Sequence, residues 1–472
     1  MKYISTRGAA PPVSFTQMLI TGLAPDGGLY LPEAYPHFAS GSIDALAGTP
    51  YVEAAQAILS PFMLNETEPD ALNGMIEAAY AGFRHRAVAP LVQLDPDLFI
   101  LELFHGPTLA FKDLAMQLLA RLMDHVLMTR GERATIIGAT SGDTGAAAIE
   151  AFKGLPQVDV FILYPHGRVS EVQRRQMTTV NAANIYTIAL EGTFDDAQSC
   201  VKNMFNNTQL REECNLCGVN SINLARILFQ SVYYFTSAVA LGAPHRPVSF
   251  VVPTGNFGDI FAGWLAKRMG LPVDRLVIAT NSNDILARTL AGGRYEVRQV
   301  HATQSPSMDI QVSSNFERLL FEAHGRNADA LCGLMEGLWQ SQSFVIAPAK
   351  QDAIRAEFDA FSVTEEETTQ AIAETWRDAG YLVDPHTAVA LSAARKRKPK
   401  EKGSLRVALG TAHPAKFPDA IERAIGVRPS LPLCLADLFA RKETYAILPK
   451  DQRKIENFIR SRTASGLSRT VL

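Results

Sequence analysis

From Ala134 onward the chain alternates short apolar runs with amphipathic stretches, and this pattern limits the fold more than any other feature. Ala134–Ala139 reads as a strand and Gly145–Phe152 as a helix. Val158–Tyr164 is a strand, Val169–Thr179 a polar helix, Ile185–Leu190 a strand and Phe194–Phe205 a helix. Val248–Val252 and Leu276–Thr280 are further strands, with a helix between them from about Asp259 to Met269. Continuous β-branched runs without strict polar alternation suit strands covered on both faces. Strand–helix alternation implies an α/β fold with mainly parallel sheets and right-handed crossovers.

The flanking segments differ. The first ninety or so residues form a unit of their own, opened by Pro11-Pro12 and Gly27-Gly28 and then helical from Tyr51 to about Phe83. A helix-rich region runs from about Asn315 to Lys396, and Thr364 with Glu367 forms a capping box at the start of one of its helices. Leu405–Leu409 is a late core strand. The basic run Arg395 to Lys400 reads as a solvated helix end, with a nuclear address as the other option.

With 472 residues and 47% apolar content the chain has enough material for a large core. At roughly 150 residues per domain it holds about three structural units. Its 45 Lys and Arg against 48 Asp and Glu leave a formal charge of −3, which favours neither nucleic acid nor an anionic membrane. The longest apolar stretch, Ile227 to Ala243, is broken by Gln230, Ser231, Thr236 and Ser237, so it reads as a buried helix rather than a membrane span. Cys200, Cys214, Cys217, Cys332 and Cys434 lack a framework spacing. Cys214 and Cys217 have a C-x-x-C form but no second pair of ligands nearby, so incidental thiols in a reducing compartment are expected. The opening residues Met1 to Arg7 show no apolar h-region, so no signal peptide and a cytoplasmic location are the expectation.

Four segments can carry chemistry. Phe104-His105-Gly106-Pro107-Thr108-Leu109-Ala110-Phe111-Lys112-Asp113 places one lysine beside apolar residues. A desolvated lysine has a lowered pKa, and its neutral amine can form a Schiff base with an aldehyde such as pyridoxal phosphate. The alternative is a surface lysine in the first turn of a helix. Pro253-Thr254-Gly255-Asn256-Phe257-Gly258-Asp259 lies between a strand and a helix. Its glycines let backbone N–H groups converge on a phosphate, although a tight turn needs glycine too. Thr140-Ser141-Gly142-Asp143-Thr144-Gly145 has the same setting, with Ser141 and Thr144 suited to a carboxylate and Asp143 to capping the helix. Both loops fall at the carboxyl ends of strands, where open α/β sheets bind ligands. Thr411, after Leu405–Leu409, can hydrogen-bond a pyridine nitrogen or be an ordinary loop threonine. Arg226 lies just inside the apolar helix and needs an anion, either an internal carboxylate or a substrate phosphate.

Taken together, these segments resemble the threonine synthase family, in its longer bacterial and fungal type, of the tryptophan synthase β-subunit fold (fold type II). Val13-Ser14-Phe15, Gly27-Gly28-Leu29-Tyr30-Leu31-Pro32, Asp384-Pro385-His386-Thr387-Ala388 and Thr411-Ala412-His413-Pro414-Ala415-Lys416-Phe417 extend the likeness over nearly the whole chain. The resemblance implies two lobes of mainly parallel open sheet with an extra N-terminal unit. Its division is residues 1–90, a catalytic core at 91–430 with a mobile smaller lobe at about 128–240, and a C-terminal extension at 431–472 packed on the core. It implies pyridoxal phosphate held covalently by Lys112, its phosphate among Gly255, Asn256, Phe257, Gly258 and Asp259, and its ring nitrogen at Thr411. Asp143 would face the phenolic oxygen, where an aspartate repels unless a proton is shared. Ser141 and Thr144 would close on the substrate carboxylate, and Ser221 and Arg226 would hold the substrate phosphate.

The implied reaction turns O-phospho-L-homoserine and water into L-threonine and phosphate. A serine or threonine dehydratase-type enzyme, a β-replacing synthase and a non-catalytic binder of pyridoxal phosphate or a metabolite are the alternatives. Neither monomer nor homodimer is singled out, and His386 has no assigned part.

Overall fold

The β-branched runs sort into two sheets in a computed structural model that describes residues 1–63, 66–397 and 404–463. The larger sheet has six strands, in the spatial order Phe358–Ser362, Val273–Thr280, Val248–Pro253, Leu405–Gly410, Leu98–Glu102, Leu91–Asp95. Its neighbours are parallel except for the edge strand Leu91–Asp95, which turns back antiparallel. The smaller sheet has five parallel strands, in the order Ala446–Pro449, Ile185–Glu191, Val158–Pro165, Ala134–Ala139, Leu216–Cys217. Val158–Pro165 is buried at every residue, as a strand covered on both faces must be.

Several expected elements change at their ends or in kind. The helix expected from Gly145 begins at Asp143, and the one expected from Val169 begins at Glu171 behind a Ser170 cap. The helix-rich region also contains the strands Ser343–Val345 and Phe358–Ser362, the second an edge strand too short and polar to stand out. The capping box of Thr364 and Glu367 is present, with each side chain accepting the other's backbone N–H. The basic run at 395–400 lies partly outside the described residues. Strand Ala446–Pro449 was not anticipated. It makes the C-terminal segment part of the small sheet, and Ile455 and Ile459 pack with Ile188 and Leu190 behind it.

Two long helices pass through the main core. Lys112–Arg130 starts at the lysine of interest and ends at Gly131, whose left-handed backbone closes the helix. Leu224–Ala240 is buried on almost every face, which explains its near-continuous apolar sequence. Among the described residues no helix is long and apolar enough to cross a membrane.

The N-terminal segment packs on these helices and reaches the loops between them. Tyr3–Ser5 pairs antiparallel with Tyr30–Pro32. The amide of Asn223, which caps Leu224–Ala240, donates to the Leu19 carbonyl at 2.9 Å. Arg318, fully buried, donates to the carbonyls of Tyr30 at 2.9 Å and Ile222 at 2.7 Å, and also to the Asn315 side chain. One guanidinium thus joins the N-terminal hairpin to two loops at the carboxyl edge of the sheets.

Candidate active site

Strand ends bring the four segments together. The loop after Leu405–Gly410 zips antiparallel onto the segment before Lys112. Phe111 N–H donates to Thr411 O at 2.8 Å, His413 N–H donates to Leu109 O at 3.0 Å, and Ala110 bridges Ala412. Thr411 is thereby fixed beside Lys112 although nearly three hundred residues separate them. The turn before Lys112 is braced by Asp113, whose carboxylate accepts from Thr108 N–H and Oγ1, both at 2.7 Å. A Cβ on Gly106 would fall 2.4 Å from that of Asp113, so the turn requires glycine there. Burial pushes the Asp113 carboxyl up to about 6 against the pull of the two Thr108 bonds.

Lys112 is not a surface lysine. It is 9% exposed, and its Nζ lies 4.7 Å from the centre of the Phe111 ring. Desolvation lowers its pKa from the ordinary lysine value. Asp143 pulls it upward, while the charges of Arg226 and Lys416 reinforce the fall.

Asp143 has a different job from capping its helix. The Thr140 hydroxyl accepts the N–H groups of Gly142 at 3.0 Å and Gly145 at 2.9 Å, and so takes the capping role. Two N–H groups of this loop are therefore already committed, which leaves the half-buried Ser141 and Thr144 at its mouth. Asp143 Oδ1 accepts from Gln173 Nε2 at 2.8 Å and pairs with Lys416 Nζ at 2.8 Å, while Oδ2 lies 3.8 Å from Lys112 Nζ. Burial alone would raise this carboxyl, but Lys416 and Lys112 outweigh it and hold Asp143 well below the usual carboxylate range. An aspartate among cations can stay charged beside an anionic oxygen. Lys416, fully buried, is the residue that sequence reading missed. It stood inside the quoted Thr411–Phe417 motif, but its partner is remote in sequence.

The 255–259 loop forms a cup at the start of helix Gly258–Arg268. Phe257 adopts a left-handed backbone with φ of 64° and buries its ring against Phe316 and Phe358, so only its backbone faces the cup. A Cβ on Gly255 would meet Ile310 at 2.9 Å, and one on Gly258 would meet the Asn315 amide at 3.3 Å. The first N–H groups of a helix lack partners within it and favour an anion. The side chain of Asp259 is not part of the cup. Its carboxylate accepts from the hydroxyls of Tyr233 and Tyr234, and burial pushes it up to about 6. Asp259 can serve a phosphate only through its backbone.

A second set of residues, also missed, clamps the cup. Ser313 Oγ donates to Gly255 O at 2.6 Å, and Asn315 donates to Asn256 O through both its backbone N–H and its side chain. His386 now has a physical account. Its Nε2 accepts Ser307 N–H at 3.2 Å, which leaves the ring proton on Nδ1, 2.6 Å from Asp384 Oδ2. It ties the start of helix Pro385–Lys396 to the 305–310 loop, whose Ser307 and Met308 back Gly255.

Arg226 is 3% exposed. Its Nη1 donates to Val219 O at 3.1 Å, and its buried Nε has no partner. Among the described residues no carboxylate pairs with it, so the internal ion pair considered as an alternative is absent. Burial pulls the guanidinium down to about 10, so it stays charged at neutral pH. Ser221 lies beside the cup, with its carbonyl 3.8 Å from where a Cβ on Gly258 would be.

His413 marks the rim. Its ring edge meets Phe104, its Nδ1 accepts Ala415 N–H at 3.2 Å, and burial followed by Arg84 and His105 pushes it down to about 4. The unfolded chain binds that proton more readily, so this contribution to stability is lost as pH falls from about 6.5 toward 4. The stability gap between the protein and His413→Asn is expected to shrink by roughly 3 kcal/mol over that window. Urea midpoints of both proteins at pH 7 and 4.5 check this. Asp113 and Asp259 titrate in the opposite sense but are common to both proteins and cancel.

Taken as a donor set, the site offers a buried amine of lowered pKa, a glycine cup at a helix start and an aspartate held charged by two lysines. That set fits a phosphorylated aldehyde. Three family profiles match the chain. "Threonine synthase N terminus" covers residues 2–80, "Pyridoxal-phosphate dependent enzyme" covers 84–349, and "Threonine synthase, C-terminal" covers 387–459. A threonine synthase of Pseudomonas aeruginosa is 52% identical over 97% of this chain and 98% of its own length. The chain belongs to the threonine synthase family. A crystal structure of pyridoxal-phosphate-bound threonine synthase from Brucella melitensis superposes with a TM-score of 0.96 at 57% identity, covering 98% of this chain and 100% of that one. The yeast threonine synthase structure does so at 0.93 and 39% identity, covering 98% and 99%. The α/β fold of type II, dependence on pyridoxal phosphate and threonine synthase activity at the last step of threonine biosynthesis follow from membership.

Proposed function

We propose that the substrate is O-phospho-L-homoserine, converted with water to L-threonine and inorganic phosphate. The observation that carries this reading is Arg226, a buried cation whose Nε waits without a partner. Leaving a guanidinium buried and unpaired costs several kcal/mol, which an incoming phosphate would recover. The glycine cup and Arg226 then give two anion seats, one for the cofactor and one for the substrate. A dehydratase acting on free hydroxyamino acids has no need of the second.

In this reading Gly255, Asn256, Phe257, Gly258 and Asp259 hold the cofactor phosphate through their backbone. Thr411 meets the ring nitrogen and Asp143 the phenolic oxygen. Ser141 and Thr144 receive the substrate carboxylate, and Ser221 and Arg226 its phosphate. When bound, pyridoxal phosphate draws electrons from the substrate's amino carbon and so acidifies the neighbouring hydrogens. The Lys112 amine, whose hold on its proton is weakened by burial, takes the proton from Cα and later returns it there. One hydrogen moves from Cβ to Cγ as phosphate leaves Cγ. The hydroxyl of water joins Cβ, and its remaining proton departs with phosphate. Arg226 balances the charge that grows on the leaving phosphate. We place the enzyme in the cytoplasm, where its cysteine thiols would stay reduced.

Purified protein loaded with cofactor is expected to release threonine and phosphate in equal amounts from O-phospho-L-homoserine, and nothing from homoserine. Keto acid from serine or threonine, with phosphohomoserine untouched, would move the assignment to the dehydratases. Gly255→Ala is expected to weaken cofactor retention by about tenfold, because its Cβ would crowd the backbone of Ser307 and Met308, both at 3.2 Å, as well as the Ile310 side chain. Equilibrium dialysis against the cofactor checks this.

A further inference from the structure

Two buried lysines, Lys112 and Lys416, share one carboxylate. Lys416 has the better contact, with Nζ 2.8 Å from Asp143 Oδ1 against 3.8 Å from Lys112 Nζ to Oδ2. Lys416 is also anchored from behind, donating to Thr108 O at 2.7 Å. It is fully buried and follows the large-sheet strand Leu405–Gly410, whereas Asp143 follows the small-sheet strand Ala134–Ala139. The bridge therefore crosses from one sheet to the other, and Ser170 Oγ adds a 3.4 Å bond to Lys416 O from the small-sheet side.

We propose that Lys416 is a positioning residue that occupies Asp143 and so keeps Lys112 out of a locked ion pair, leaving its amine free to gain and lose protons. The groups facing Lys112 are Asp143 and Asp113 on the acidic side and Arg226 and Lys416 on the basic side, and the Lys112 charge also reaches Asp259. Without Lys416, Asp143 Oδ1 keeps only its bond from Gln173, and Lys112, 3.8 Å from Oδ2, is left to balance the carboxylate's charge. Loss of the Lys416 charge also removes a repulsion from Lys112. Both effects bind a proton to Lys112 more tightly.

The inference builds on Lys112 as the reactive amine of the proposed function, so its test avoids turnover. Cofactor-free full-length protein is labelled with trace acetic anhydride across a pH series, and peptide mass mapping follows each lysine separately. In the unaltered protein Lys112 is expected to react while Lys416 resists. In Lys416→Gln, which keeps a hydrogen-bond donor but not the charge, labelling of Lys112 at a fixed pH below its midpoint should fall by about tenfold. An unmoved Lys112 profile in Lys416→Gln overturns the proposal. So does a Lys416 that labels more readily than Lys112 in the unaltered protein, a comparison that stands even if the variant does not fold. Because labelling needs no substrate, either result leaves the assigned reaction untouched.

Discussion

Lys112→Ala is expected to make no threonine and to lack the visible absorption that a lysine-bound pyridoxal phosphate gives. The fall in kcat should be at least about 10⁴-fold, since a covalent anchor and a proton carrier vanish together. The fold should survive. The lysine occupies the first turn of a 19-residue helix whose other buried residues are mostly apolar and lie along its length. Removing a desolvated cation also relieves a burial cost. The cup at 255–259 is untouched, so the variant should still hold the cofactor, only without the covalent bond. Absorption spectroscopy and product analysis on one preparation check both parts. Ordinary turnover would remove Lys112 from the chemistry altogether.

Arg226→Ala should raise KM for O-phospho-L-homoserine by about 10²- to 10³-fold, the range for losing a charged contact to a buried anion. Cofactor retention should hardly change, because the cup is formed by other residues. The ligand-free protein supplies a second check of opposite sign. Among the described residues Arg226 has no carboxylate partner, so its removal should leave the thermal midpoint unchanged or slightly higher. Added phosphate should stabilise the unaltered protein and have less effect on the variant. An unchanged KM together with a marked loss of stability would assign Arg226 to the scaffold instead.

The chemistry of this site was more legible in the sequence than its support. Strand-then-glycine segments gave away the two loops because a turn from strand to helix and an anion seat need the same residues. Lys112 stood out because charge seldom sits among apolar neighbours. Lys416 satisfied the same criterion and was passed over, since its meaning depends on Asp143, which folding brings up from the other sheet. The clamp of Ser313 and Asn315 on the cup is likewise a contact between distant segments, and polar residues in a loop give no hint of their partners. Asp259 was placed with the phosphate on position alone. Its tyrosine partners lie on another helix, and a one-dimensional pattern does not say which way a side chain turns. Strand Ala446–Pro449 escaped because four residues at a sheet edge carry too little periodicity.

That late strand bears on how the molecule is made. The edge it covers, Ile185–Glu191, emerges from the ribosome more than two hundred residues earlier. Until Ala446–Pro449 has been made, a row of backbone donors and acceptors stays open to any other nascent chain. Overproduction that outruns chaperone capacity should therefore favour inclusion bodies, and truncation before Ala446 should make that fate permanent.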